Sequence, residues 1–130
     1  VTSVRLGARV PITLTASGAA LISQMPKHRR SEICEGVEFA TRDHNKVFEE
    51  SVDQVITTGV CVSPSMVIAG VQNISVPILD YSGLVVASLT IPYIQRLIST
   101  NDPDLDQAKT ALAETGKNIS IRLGAGVSTL

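Results

Sequence analysis

Apolar positions along this chain alternate between a period of two and a period of about 3.6, and the changes of period divide it into elements. Residues 1–10 read as an extended segment, with Val4, Leu6 and Ala8 alternating until Pro11 stops the run. Thr13-Leu14-Thr15-Ala16-Ser17-Gly18 is a small-residue turn opening onto Ala19-Ala20-Leu21-Ile22-Ser23-Gln24-Met25, the pattern of a helix N-terminus, and Pro26 closes it. Asn45 to Gly59 is predicted helical: Phe48, Val52, Val55 and Ile56 share one stripe, Glu49, Glu50 and Asp53 take the other face, and Gly59 is the stop. Val60-Cys61-Val62 begins a strand that enters a loop at Ser63-Pro64-Ser65. In the last segment Asp102 is expected as N-cap with Pro103 at the first helical position, followed by a stripe of Leu105, Ala108, Leu112, Ile119 and Leu123. Gly116 falls inside that stripe, where it would allow close packing, and Gly124 and Gly126 end the helix.

Between these lies a predicted hairpin, Val71 to Ile91, folded about Asp80-Tyr81-Ser82-Gly83. A turn closed by Asp80 and Gly83 sets Leu79 opposite Leu84, Pro77 opposite Val86, Ser75 opposite Ser88 and Asn73 opposite Thr90. Side chains alternate across a strand, so Ile74, Val76 and Ile78 join Val85, Ala87, Leu89 and Ile91 on an apolar face that requires a core. The other face gathers Asn73, Ser75, Ser88 and Thr90. This polar row reads either as the wet side of an ordinary sheet or as the floor of a pocket for a small polar molecule. A bulge at Gly83 with a one-residue slip would dissolve it.

Strands and helices are mixed and the hairpin makes the sheet at least partly antiparallel, an α+β arrangement. At 130 residues the chain has room for one domain. Its 44% apolar and 18% charged residues fit a folded globular chain. A net charge of −1 and 3% aromatics offer neither a positive field nor stacking platforms for nucleic acid. The basic cluster Lys27-His28-Arg29-Arg30 reads as a solvated helix face or loop, with a subunit or linker contact as the alternative. No apolar run is long enough to span a bilayer, so no membrane partner is expected. Cys34 and Cys61 have no metal-type spacing, and a cytoplasmic chain with reduced thiols is the default. The chain opens on Val1 and is taken as a fragment of something longer, or a trimmed version of it.

Catalytic chemistry finds little support. His28 and His44 have no partner at metal-ligand spacing, and no nucleophile elbow, phosphate loop or dinucleotide fingerprint is present, so neither metal nor cofactor is expected. Asp80 sits where a turn needs its side chain for backbone hydrogen bonding. Cys61 reads as a buried small apolar residue, or as a pocket position. The amides of the Thr15–Gly18 turn are either simply capped or available to a carboxylate.

Arg5-Leu6-Gly7-Ala8-Arg9-Val10-Pro11-Ile12, followed by Thr15-Ala16-Ser17-Gly18-Ala19-Ala20-Leu21, resembles the strand, proline and helix start of the effector-binding domain of IclR-type (isocitrate lyase regulator) transcription factors. Thr58-Gly59-Val60, Ala69-Gly70-Val71, Ile74-Ser75-Val76-Pro77-Ile78, Asp80 through Thr90, and Ile119-Ser120-Ile121-Arg122-Leu123-Gly124-Ala125 follow that family's order over nearly the whole chain. The resemblance implies a GAF-like antiparallel sheet flanked by helices, N-terminally truncated, with residues 1–130 forming a single effector-binding domain. It implies a homodimer or homotetramer that reaches DNA only through a winged helix-turn-helix domain absent from this chain. It also carries the family's pocket onto the backbone of Ala16 and Ser17 and onto Ser63, Val71, Asn73 and Thr90, with Pro92 beside them.

Several positions depart from the family. Members that sense small keto acids have Asp and Cys at the places of Ser63 and Asn73, and Ser at those of both Thr90 and Pro92. The acidic residue frequent before the Gly-Val of this loop is replaced within Met66-Val67-Ile68-Ala69. The implied effector is a small organic acid, somewhat more apolar than a simple keto acid. The alternatives are a small enzyme using the same cleft and a structural dimerisation module. Under the sensor reading, Asn73→Ala and Thr90→Val are expected to weaken effector binding without changing the unliganded melting temperature.

Overall fold

A sheet of three antiparallel strands in the order β1-β2-β3 organises the chain, with helices on both of its faces. The computed structural model describes residues 5–35, 42–65, 68–94 and 101–126, apart from the side chains of residues 42–45. A short 3-10 turn (Ile12–Leu14) leads into α1 (Ala16–Ile22), α2 (Lys27–Glu35), α3 (Arg42–Thr58), β1 (Cys61–Pro64), β2 (Val71–Leu79), β3 (Val85–Ile94) and α4 (Leu105–Arg122). This is the α+β class expected from the sequence. No helix among the described residues is long and apolar enough to cross a membrane.

Two apolar clusters fix the layers. One face of the sheet, with Ile74 and Val76 at its centre, packs on Ala108 and Leu112 of α4. On the other side Cys61 joins Ala16, Ala19 and Ile22 of α1, Cys34 of α2, and Phe48, Val52 and Val55 of α3. Close approach is built into both layers by glycine. A Cβ on Gly116 would lie 2.7 Å from Val76 Cγ2, and one on Gly18 would lie 1.9 Å from the carbonyl oxygen of Ile12. Gly116 therefore lets α4 settle on β2, and Gly18 lets α1 settle against the preceding turn.

The hairpin register differs from the expected one by two residues. Leu79 pairs with Val85, Ile78 with Ala87, Ser75 with Thr90 and Asn73 with Pro92, with an irregularity between Ile78 and Leu79. Leu84 lies within the turn, where its carbonyl accepts from the Asp80 N–H at 3.0 Å and Gly83 adopts a φ of 80°. That lengthening moves the register by one, and the bulge at Val86 moves it by one more. A shift of one would exchange the faces; a shift of two restores them. Asn73 and Ser75 thus still share a face with Ser88 and Thr90, but Asn73 does not face Thr90. Pro77 is tolerated in the central strand past the point where β1 pairing ends, at Ser75.

Other boundaries also moved. Residues 5–10 are exposed and form a turn rather than a strand, with Ala8 N–H donating to the Arg5 carbonyl; Val4 lies outside the described residues. Helix α1 starts at Ala16 because the Thr15 hydroxyl accepts from Gly18 N–H at 3.0 Å and caps it. Asp104, not Asp102, caps α4, since only Asp104 has Gln107 three residues on to complete a reciprocal capping box. Ile56 is half exposed on α3, and Ile119 and Leu123 turn outward on α4, whose buried stripe runs through Ala108, Leu112, Gly116 and Ser120. Gly59 follows α3 with a φ of 85°, and Gly124 and Gly126 follow α4 with φ of 91° and 81°, as helix stops do. The basic cluster forms an exposed part of α2, where Arg29 pairs with Glu32 at 3.0 Å and Arg30 donates to the Met25 carbonyl.

Candidate functional site

The sheet face beneath α1 carries uncharged hydrogen-bonding groups in cross-strand rows. Register places Cys61, Ser75 and Thr90 in one row and Ser63, Asn73 and Pro92 in the next. Val71, opposite Ile94 at the end of β2, is buried on the same side. Alternation brings no charged side chain to this face.

Helix α1 covers the first row. Ser17 Oγ lies 2.6 Å from Thr90 Oγ1, which lies 2.7 Å from Ser75 Oγ, so three hydroxyls from α1, β3 and β2 form one hydrogen-bonded chain. Ser75 is fully buried at its inner end. Beside it, the Cys61 thiol donates to the Ala16 carbonyl at 3.5 Å. Burial pushes the pKa of this thiol up to about 11, outweighing a hydrogen bond from the Ser75 backbone that lowers it. Cys61 is therefore an inert packing residue at neutral pH.

The second row is open. Ser63 and Asn73 are half-buried, and neither side chain is hydrogen-bonded among the described residues. The β1 edge here is held by α3, whose Gln54 Oε1 accepts from Val62 N–H at 2.9 Å. Ser63 and Pro64 also line an open cavity of about 140 Å³, together with Thr13, Leu14 and Thr15 before α1 and Val47, Phe48 and Ser51 of α3.

The residues singled out from sequence thus fall into two adjoining groups. Ala16, Ser17 and Thr90 are together beneath α1 and already bonded within the fold, while Ser63 and Asn73 are together and unengaged. The expected Asn73–Thr90 pair is replaced by Asn73–Pro92 and Ser75–Thr90 because of the longer turn and the bulge together. Of the Thr15–Gly18 amides, that of Gly18 is taken by plain capping from the Thr15 hydroxyl at the start of a seven-residue helix. Thr13, Ser75 and the α3 wall were not singled out. Ser75 was visible in the alternation, but Thr13 and α3 enter only through packing across long stretches of chain.

The architecture is thus a small antiparallel sheet that shelters uncharged polar groups under a helix. The family model for the C-terminal domain of bacterial IclR transcriptional regulators matches residues 1–121, and the chain belongs to that family. Among solved structures, the Thermotoga maritima IclR is 25% identical, with a TM-score of 0.75 over 95% of this chain and 51% of its own. The C-terminal domain of the Escherichia coli regulator KdgR is 26% identical, with a TM-score of 0.69 over 90% of this chain and 73% of that one. The inducer-binding domain of an Acinetobacter PobR double mutant, solved with 3-hydroxybenzoic acid, is 24% identical, with a TM-score of 0.65 over 85% of this chain and 66% of that one. No curated protein matches. The chain spans about half the length of the Thermotoga regulator. The family and these structural relatives are transcriptional regulators.

Proposed function

We propose that this chain binds a small organic acid at the Ser63–Asn73 row and through it modulates the DNA binding of a longer, oligomeric regulator. One observation carries the reading: two polar side chains meet across β1 and β2, half-buried and without a hydrogen-bond partner among the described residues, and one of them, Ser63, lines a cavity. Polar groups held part-buried and unengaged suit a ligand that supplies their hydrogen bonds. The acid bound by the PobR inducer domain is consistent with this class of effector. For binding to act as a switch, the ligand must favour one arrangement of the regulator over another.

Asn73→Ala is the cleaner test of the site. Its amide has no hydrogen-bond partner among the described residues, so the unliganded protein should melt within about 0.5 kcal/mol of the native one, as for substitutions away from packed or paired groups. Calorimetric titration with small carboxylic acids should show a loss of roughly tenfold, the worth of one well-made hydrogen bond to a charged group. Unchanged affinity for every acid that binds the native protein removes Asn73 from the site.

A further inference from the structure

Helices α2 and α3 flank an open groove of about 190 Å³ that no strand residue among those described lines. Lys27, Arg30, Ser31 and Cys34 border it from α2, where their spacing of i, i+3, i+4 and i+7 puts them on one helix face. From α3 come Phe48 and Val52, with Glu49 and Asp53 beside them. Phe48 also lines the cavity next to Ser63, so α3 stands between two separate recesses.

Charge is divided between the walls. The α2 wall carries cations and the α3 wall carboxylates, yet none of them pairs across the groove. Among the described residues the one ion pair is Arg29–Glu32, and Arg30 donates instead to the Met25 carbonyl. Both walls still act on the floor between them. Burial raises the pKa of the Cys34 thiol, Glu49 raises it further, Arg30 lowers it, and Glu35 adds a smaller rise. The floor itself is apolar, since Cys34, Phe48 and Val52 are all buried. Ser31 is half-buried beside it.

Opposed rows of opposite charge that do not close on each other leave room for a molecule carrying both signs. The apolar strip between them selects how that molecule is built. Charges on adjacent carbons would leave the strip uncovered, whereas methylenes between the charged ends would cover it. The volume exceeds the roughly 150 Å³ that accepts benzene, enough for a chain of about five carbons.

We propose that the α2–α3 groove binds a straight-chain ω-amino acid, with its carboxylate on Lys27 and Arg30, its ammonium on Glu49 and Asp53, and its methylenes on Cys34, Phe48 and Val52. The ligand ties α2, whose one buried residue is Cys34, to α3. This site is distinct from the Ser63–Asn73 row and does not rest on it.

The probe is δ-aminovalerate, with valerate, pentylamine and glycine for comparison. Each is titrated by calorimetry into the native chain, Glu49→Gln with Asp53→Asn, Ser31→Leu, and Asn73→Ala. The native chain should bind δ-aminovalerate roughly tenfold more tightly than valerate or pentylamine, each of which lacks one charged hydrogen bond, and more tightly than glycine. The double variant, changed only at exposed positions, should bind δ-aminovalerate no better than valerate. Ser31→Leu, which fills the groove, should abolish the preference, and Asn73→Ala should keep it within about twofold. Equal binding of δ-aminovalerate and either singly charged analogue to the native chain overturns the proposal, as does a preference that survives the double variant. A preference lost in Asn73→Ala and kept in the double variant moves the ligand to the sheet and overturns the groove. The double variant carries the test even where Ser31→Leu does not fold.

Discussion

Thr90→Val replaces a side chain by one of the same shape and should nevertheless destabilise the protein. The sequence alone expects this change to spare stability, but the hydroxyl is the middle link between Ser17 and Ser75. Deleting it strands the Ser75 hydroxyl, which has no exposed surface, at a cost of about 1–3 kcal/mol. Ser17 is only half-buried and recovers much of its loss from water, adding a few tenths of a kcal/mol. The sum is about 2 kcal/mol, or a fall in Tm of roughly 6–10 °C for a domain of this size. Ser75→Ala should cost less, because Thr90 keeps Ser17 as partner. The double variant should be more stable than Thr90→Val alone, since an apolar pair replaces a stranded donor. Urea unfolding of the four proteins, followed by circular dichroism, gives the coupling directly. Two outcomes refute the reasoning: Thr90→Val within about 0.5 kcal/mol of native, or a double variant equal to the sum of the singles.

The two tightly packed glycines should respond to different degrees. Gly18→Ala forces a methyl into the Ile12 carbonyl, a backbone group that cannot yield, and should cost at least about 3 kcal/mol or prevent folding. Gly116→Ala sets a methyl 2.7 Å from Cγ2 of the buried, stiff side chain of Val76, so an overpacking cost of about 1–3 kcal/mol outweighs the helix preference of alanine, about 1 kcal/mol, and Tm should fall, but by less than in Gly18→Ala; equal losses in thermal melts would contradict the distinction. Cys61 adds a pH dependence. Its thiol is raised from 9.0 to about 11 by burial, so the folded chain keeps a proton that the unfolded chain releases. The resulting stability is full below about pH 9 and lost as pH climbs toward 11, with a slope approaching 1.4 kcal/mol per pH unit. Urea midpoints measured across that range should fall less steeply in Cys61→Ala, and identical slopes would remove the assignment.

What the sequence discloses depends on how local the cause is. The α3 stripe of Phe48, Val52 and Val55, the helix stop at Gly59 and the two faces of β2 were legible because each follows from a repeat within a few residues. The pairing partners of Asn73 and Thr90 were not, since they depend on a bulge at Val86 that no hydrophobic pattern marks. The α4 cap was misplaced between two aspartates flanking Pro103, although Gln107 already distinguished Asp104. Thr13 gave no signal at all: a threonine between Ile12 and Leu14 looks ordinary until α3 and β1 close over it.

The hydroxyl chain has a consequence for polarity. Ser17, Thr90 and Ser75 hold three protons between them, and two are spent on the two bonds that join them. Either oxygen of each bond can be the donor, so the third proton can sit on any of the three hydroxyls. Rotating the hydroxyls moves that donor from the buried end at Ser75 to the half-buried end at Ser17 without displacing a heavy atom. The face beneath α1 therefore has no fixed sign. It can present a proton to an anion or a lone pair to a hydroxyl, and whichever group arrives beside it sets the direction of the whole chain.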